Sequence, residues 1–545
     1  MEQRMMSRSL SRRQFLVSTG AITGGVALLS VASIVPAVAL TSSQPAGGAS
    51  FTYGAWQDFD TPDVNITSLA ATGRVAQQMW DPLLRMVSGD SNLHPGLAER
   101  WDADPGATWF TLYLRNDVKF HDGTPFDANA VKFNFDRIAD PANRSVAGSA
   151  ALGPYDHSEV IDDHTVKVVF KEPYAPFLSE ATETFLAPSS PTAIQKYGTD
   201  YINHLTGTGP FKFVEYAKGD HLTMVRNDDY NWAPDYWGRN GPANLQQINW
   251  RIIPVASTRM ATLQNGETDM IDYMLETAVA RFKTDPKFQV ALIDAPGSPR
   301  TIPINVTLAP TDDLLVRQAI MHVADVATIE NTLFPGVYDP ADSPMEPSMQ
   351  CYKSYKDLYP IDKDKAGALL DQAGWVMGPD NVRTKNGVPL KVVHLIISDN
   401  QMDETAQLLQ GMLKDVGFQA EIQVQAFPTV EDTYQRGDSH NLGDFFYWWN
   451  DPSFLFAAYA SSRVKYENFS HYANPTVDNL ITLGASTTDP GQRCSTYQQA
   501  MDTIMSDAAA IPLQFKRAVY GMSAKVQGMK YTSVTYPMLY NVTLG

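Results

Sequence analysis

Two cysteines are all that 545 residues provide. Neither Cys351 nor Cys494 has the neighbouring histidines of a nucleophilic thiol, which argues against redox or thiol catalysis. The ten histidines are scattered, with no pair at helical spacing, so a dedicated transition-metal site has no support. Basic side chains are few: 42 Lys and Arg stand against 60 Asp and Glu, for a formal charge of −18. Nucleic-acid binding needs concentrated positive charge and is excluded as a function class. Beyond residue 40 no apolar run approaches the ~20 residues of a membrane span. There is no His-Glu-x-x-His helix, no Gly-x-Ser-x-Gly elbow and no phosphate loop ending in Gly-Lys-Ser/Thr. Gly207-Thr208-Gly209-Pro210-Phe211 has the look of a dinucleotide fingerprint, but Pro210 and the missing third glycine make it a structural turn before a strand.

What is present is a globular composition: 44% hydrophobic residues, 24 Phe, 24 Tyr and 10 Trp. At about 100–200 residues per domain the length predicts roughly three domains with clefts between them. Charge is unevenly placed, since Arg4, Arg8, Arg12 and Arg13 face Glu2 alone in residues 1–39. Ser11-Arg12-Arg13-Gln14-Phe15-Leu16 is a twin-arginine signature, followed by a weakly apolar run from Ala21 to Val35 and a cleavage site at Ala37-Val38-Ala39. This pattern predicts export of a folded protein and a mature chain from Leu40. No cysteine lies near the cleavage site, so no lipid anchor is expected and the mature chain is expected to be soluble in the periplasm. In that oxidising compartment Cys351 and Cys494 either pair or remain buried thiols; spacing alone does not decide.

The body alternates strand-like and helix-like segments. Strands are expected at Trp109–Leu114, Thr165–Phe170, Leu222–Arg226, Ile248–Ile253, Val392–Ile397 and Ala420–Gln425. Helices are expected at Asp127–Ile138, Val255–Leu263, Leu314–Val323, Lys363–Ala373 and Glu404–Val416, the last two stopped by Gly374 and Gly417. The alternation reads as α/β with mixed sheets. Asp127 stands where a helix N-cap belongs, after an Asp122-Gly123 turn.

Nine segments in consistent order resemble the large extracytoplasmic solute-binding proteins of ABC importers, the peptide/nickel (family 5) group. They are Pro95–Trp101 with Leu114–Phe126, Ile161–Val166, Gly207–Phe211, Arg226–Tyr230, Leu263–Asp269, Val316–Ile320, Leu369–Trp375 and Asp451–Leu455. The resemblance implies a periplasmic binding protein-like fold with two large lobes around a ligand cleft and a smaller inserted domain. Domain I would comprise 40–82, 186–300 and 512–545, domain II 83–185 and domain III 301–511, after a signal peptide at 1–39. Hinges would lie at Ala295–Arg300 and Ala508–Pro512, where a few torsions absorb rigid-body closure.

The same resemblance puts Tyr53 and Trp56, after the first strand, and the run Phe445–Asp451 near the cleft. Tyr447, Trp448, Trp449, Asn450 and Asp451 are therefore candidate ligand contacts. The run also reads as a buried strand, and in a regular strand adjacent tryptophans point to opposite faces. Peptide-binding family members carry a tryptophan, two residues and then an aspartate that pairs with the ligand's α-amino group. Here only Asn450 separates Trp449 from Asp451-Pro452, so that clamp is missing unless Asn450 or Asp451 substitutes. Aromatic faces suit sugars, planar rings or cations. Arg300 and Arg436 either hold a ligand carboxylate or form interdomain or surface ion pairs.

The expectation is a non-enzymatic periplasmic receptor without cofactor or metal. It would be a monomer that delivers a peptide-like, saccharide or opine-like solute to an ABC permease with its ATPase, after passing the twin-arginine machinery. The alternatives are a secreted hydrolase with paired carboxylates and a folding or scaffold protein.

Overall fold

The computed structural model describes residues 49–397 and 400–545, together with all their side chains except those of 400, 401, 427 and 428. The export signature and the cleavage site lie outside the described residues.

The dominant element is a seven-stranded mixed sheet. In spatial order its strands are Phe288–Asp294, Arg517–Ser523, Met270–Ile271, Ser50–Ala55, Gln247–Ile252, His221–Arg226 and Phe211–Ala217. Ser50–Ala55 runs parallel to both of its neighbours, and the other pairs are antiparallel. The turn before Phe211 is packed as its glycines require: a Cβ on Gly207 would lie 2.2 Å from the Met79 carbonyl oxygen.

A separate antiparallel sheet has the order Ala98–Ala103, Trp109–Leu114, Thr165–Phe170 and Tyr155–Asp162. Its two central strands bury alternate residues, Phe110, Leu112 and Leu114 on one and Val166, Val168 and Phe170 on the other. The register pairs Phe110 with Val168 and Leu112 with Val166, so these side chains share one face. Helix Ala128–Ala139 covers that face with Val131, Phe135 and Ile138, spaced three and four apart. Its N-cap is Asp127, whose carboxylate accepts the Ala130 N–H at 2.8 Å.

Residues 302–513 build a second set of elements with its own apolar core around Ile302, Ile320, Leu370, Leu413 and Leu513. It includes a parallel pair, Lys391–Ile397 with Gln419–Gln425, joined through helix Asn400–Lys414. The core of the large sheet is formed by a different set, among them Phe51, Trp80, Trp250 and Tyr540. Cys351 and Cys494 form a disulfide beside a third cluster around Phe454, Tyr497 and Met501. The expected elements recur with end shifts of a few residues. The run Phe445–Trp449 is an exception: it is an irregular extended segment, bridged at Phe445 to Thr301. Among the described residues, no helix is long and apolar enough to cross a membrane.

Candidate functional site

The chain passes twice between the large sheet and a small three-stranded sheet. Strand Phe288–Asp294 leads through residues 295–299 into strand Arg300–Pro303. The return strand Ala510–Phe515 reaches strand Arg517–Ser523 through one residue, Lys516. The expected second hinge, Ala508–Pro512, falls at the start of that return strand, and the break between the sheets comes later, at Lys516. The two passages run antiparallel, pairing Asp294 with Arg517 and Ile302 with Ile511. The Ala295 N–H donates to the Lys516 carbonyl at 2.9 Å. Glu346 joins both passages: its N–H donates to the Gly297 carbonyl at 3.0 Å and its carboxylate accepts the Lys516 N–H at 2.8 Å.

The aromatic run lies along the first passage. Thr301 and Phe445 exchange two backbone bonds of 2.9 Å, and the Ser298 N–H donates to the Tyr447 carbonyl at 3.0 Å. Gly297 makes this approach possible: it has φ +100°, and a Cβ there would sit 2.3 Å from the Tyr447 oxygen. The segment alternates like a strand although it is not a regular one. Phe446 and Trp448 point to one side, while Tyr447 and Trp449 pack with the cluster around Phe454 and Tyr497.

Phe446 and Trp448 form one wall of a cleft of about 470 Å³, within the range of small-molecule sites. Tyr273, Leu275, Glu276, Tyr338 and Tyr520 contribute further lining, together with the basic side chains Arg74, Arg259, Arg300, Lys516 and Arg517. Most of these charges have partners. Arg74 pairs with Asp272 at 2.9 Å, and Arg259 donates to the carbonyls of Ile253, Pro254 and Tyr273 at 2.7–3.0 Å. Arg300 grips Asp444 in a bidentate pair at 2.8–3.1 Å. Arg517 bonds Asp294 at 2.8 Å and Asp339 at 2.5 Å. Burial pushes the Asp272 carboxyl upward, against the pull of Arg74 and Arg259. Glu276 accepts from the Tyr338 hydroxyl at 2.8 Å.

Lys516 is different. Among the described residues its buried Nζ has no hydrogen-bond partner, and it lies 3.4 Å from the Phe446 ring centroid and 4.3 Å from that of Trp448. Burial lowers its ammonium to about 7, with Glu346 opposing the shift and Arg300 adding to it.

Of the nine expected contacts, Arg300 and Trp448 line this cleft. Tyr53 is fully buried in the large sheet, stacked on Trp250 at 3.8 Å because the register sets them side by side. Trp56 lies beside the cleft, its ring 4.9 Å from that of Tyr273. Arg436 ends helix Phe427–Arg436 half exposed, paired with Asp432 one turn back and with Asp438 at 3.6 Å, so it is a surface ion pair and not a cleft wall. The Tyr447 hydroxyl donates to the Glu467 carbonyl. Asn450 donates to Thr182 at 3.0 Å. Asp451 is fully buried, clamped by Arg493 at 2.6 and 2.8 Å and by Ser179 at 3.0 Å. Neither Asn450 nor Asp451 offers a free carboxylate for a ligand ammonium. The candidate contacts drawn from the sequence omit Lys516, Phe446 and Tyr273; Phe446 belongs to the aromatic run placed near the cleft, Lys516 lies close to an expected hinge, and Tyr273 carries no signal.

Residues 92–467 match the model of a family described as bacterial extracellular solute-binding proteins, family 5 Middle. The glutathione-binding protein GsiB of Pectobacterium atrosepticum is 30% identical over 531 residues, 96% of each chain. Heme-binding protein A of Haemophilus influenzae is 27% identical over 86% of this chain and 87% of its own. Among solved structures, HbpA2 from Haemophilus parasuis superposes with a TM-score of 0.79 at 24% identity, over 91% of this chain and all of the other. The periplasmic binding protein DppA from Helicobacter pylori, in complex with the peptide STSA, superposes with a TM-score of 0.71 at 25% identity, over 91% of this chain and 98% of its own. With a family match across its middle and relatives aligned almost end to end, the chain belongs to the family 5 bacterial extracellular solute-binding proteins, the binding components of ABC importers.

Proposed function

We propose that this chain is a soluble, monomeric periplasmic receptor, exported folded by the twin-arginine route. It captures a small organic solute in the cleft beside Trp448 and hands it to an ABC permease with its ATPase. Domain I comprises 40–82, 186–300 and 512–545, domain II is the insertion 83–185, and domain III is 301–511. The passages at 295–299 and at Lys516 serve as the hinge, and the solute shifts the protein toward closure through its higher affinity for the closed form.

The observation that carries this reading is the cleft itself. It sits where the chain passes between two sheets, it has the volume of a small-molecule site, and it combines aromatic rings with convergent basic groups. A catalytic role draws no support from its carboxylates, because Asp272 is held by Arg74 and Glu276 by Tyr338. The missing ammonium clamp argues against ordinary free-amino peptides. GsiB and heme-binding protein A, named for glutathione and heme, are relatives whose ligands bear carboxylates.

Thermal unfolding against a panel of glutathione, heme, peptides, oligosaccharides and opines tests the reading. A true ligand at a hundredfold excess over Kd stabilises the native state by about 2.7 kcal/mol. Trp448→Ala is expected to weaken that ligand at least about fivefold, while Trp449→Ala leaves it within about twofold. A panel that leaves the melting temperature unmoved refutes the receptor reading.

A further inference from the structure

Lys516 is the one residue between the return strand Ala510–Phe515 and strand Arg517–Ser523 of the large sheet. Its backbone ties both passages, accepting from Ala295 at 2.9 Å and donating to Glu346 at 2.8 Å. Its side chain lines the cleft, with Nζ buried and, among the described residues, lacking any acceptor. The Trp448 indole N–H, on the same wall, is buried and equally without an acceptor. The residues of one wall thus hold two buried donors without an acceptor among the described residues, one of them an ammonium set against two ring faces.

The other cleft charges do not answer this pair. Asp272 is taken by Arg74 and Glu276 by the Tyr338 hydroxyl, and Asp444 is taken by Arg300. Glu346 receives the backbone N–H of Lys516 and forms no ion pair with Nζ among the described residues. A buried ammonium without a counter-charge is unfavourable, and cation–π contact recovers only part of that loss. Phe446 and Tyr273, at 42% and 48% exposure, leave apolar surface beside the charge.

We infer that the solute is an organic acid: its carboxylate is held by the Lys516 ammonium and the Trp448 indole N–H, and its apolar or aromatic part covers Phe446 and Tyr273. This rests on the receptor reading and deepens it by naming the chemical class and the residue that reads it. Because Lys516 is itself the second passage, the acid group is read at the hinge.

Calorimetry at pH 6 on the purified protein, with acids and their neutral counterparts, tests this. The pairs are indole-3-acetate with indole-3-acetamide, an N-acetylated hydrophobic dipeptide with its C-terminal amide, and phenylacetate with phenylacetamide. At least one acid should bind about tenfold or more tighter than its partner. Lys516→Met should erase that preference and leave the neutral compound within about threefold, while Lys516→Arg retains part of it. A preference that survives Lys516→Met overturns the inference. So do neutral compounds binding as tightly as the acids, or neutral solutes binding when no acid does. In those cases the receptor reading stands, whereas a protein that binds no solute at all removes both. If Lys516→Met does not fold, the wild-type preference from pH 5.5 to 8.5 decides. It must fall as Lys516 loses its proton and Glu346 gains charge, while Arg300, Arg74, Arg259 and Arg517 stay cationic; a constant preference overturns the inference.

Discussion

Truncating Asp451 separates a ligand contact from a structural clamp. Its carboxylate has no exposed surface, takes two bonds from Arg493 at 2.6 and 2.8 Å, and also accepts from Ser179 Oγ at 3.0 Å and the Ser453 N–H at 2.8 Å. Asp451→Ala leaves the Arg493 guanidinium buried without its counter-charge, and breaking such a pair from one side costs about 3–5 kcal/mol. At about 2.1 cal/mol/K per residue, unfolding ~500 residues carries an entropy near 1 kcal/mol/K, so the expected loss is about 3–5 °C in melting temperature. The double variant Asp451→Ala/Arg493→Ala should be less destabilised than the two single losses combined, because it removes the stranded charge. The pH dependence has a defined sign. Burial opposes ionisation of Asp451, but Arg493 and the Ser453 N–H outweigh it and hold the carboxyl below its usual range. Its contribution is therefore present above the unfolded carboxyl pKa near 4 and is lost as pH falls through the folded value. The gap between wild type and Asp451→Asn should close in acid. Scanning calorimetry with solute titration reads both quantities. An Asp451→Ala protein that melts like wild type but loses solute affinity refutes the clamp and restores Asp451 as a ligand contact.

Two other perturbations have worked magnitudes. Glu330 is 1% exposed, neither carboxyl oxygen has a hydrogen-bond partner among the described residues, and burial raises it to about 8 against the pull of Arg300. The unfolded chain ionises this carboxyl near pH 4.5 and the native state does not, so native stability is lost as pH rises toward 8. Glu330→Gln should match wild type near pH 4.5 and gain about 3 kcal/mol by pH 7 in urea unfolding, and a pH-independent difference would contradict the argument. The disulfide spans 143 residues, for which loop closure gives about 5 kcal/mol. Reduction should lower the melting temperature by several degrees, and equal melting with and without reductant would show the link to be energetically silent.

Much of the fold was legible because its signals are local. The alternation of Phe110, Leu112 and Leu114 marks a one-faced strand, and Asp127 caps its helix through a bond three residues away. The cleft was only partly legible. Trp448 and Arg300 were singled out, but their neighbours in sequence could not be sorted from them. By sequence Tyr53 reads as a loop residue after the first strand, yet it lies within strand Ser50–Ala55, where the register stacks it on Trp250, 197 positions away in sequence, inside the sheet.

By itself, the sequence determined the α/β class, the family resemblance and the absence of a metal, nucleotide or nucleic-acid motif, because residue type, spacing and order carry those properties. The tertiary structure alone decided which groups face the cleft. Whether an arginine is available depends on a carboxylate far along the chain, as Arg300 meets Asp444 and Arg493 meets Asp451. Lys516 looks like any lysine between two strands until folding buries its Nζ against the Phe446 and Trp448 rings. The physical reason is that burial and charge pairing are properties of what the fold brings together, and neither is written in a residue's neighbours along the chain.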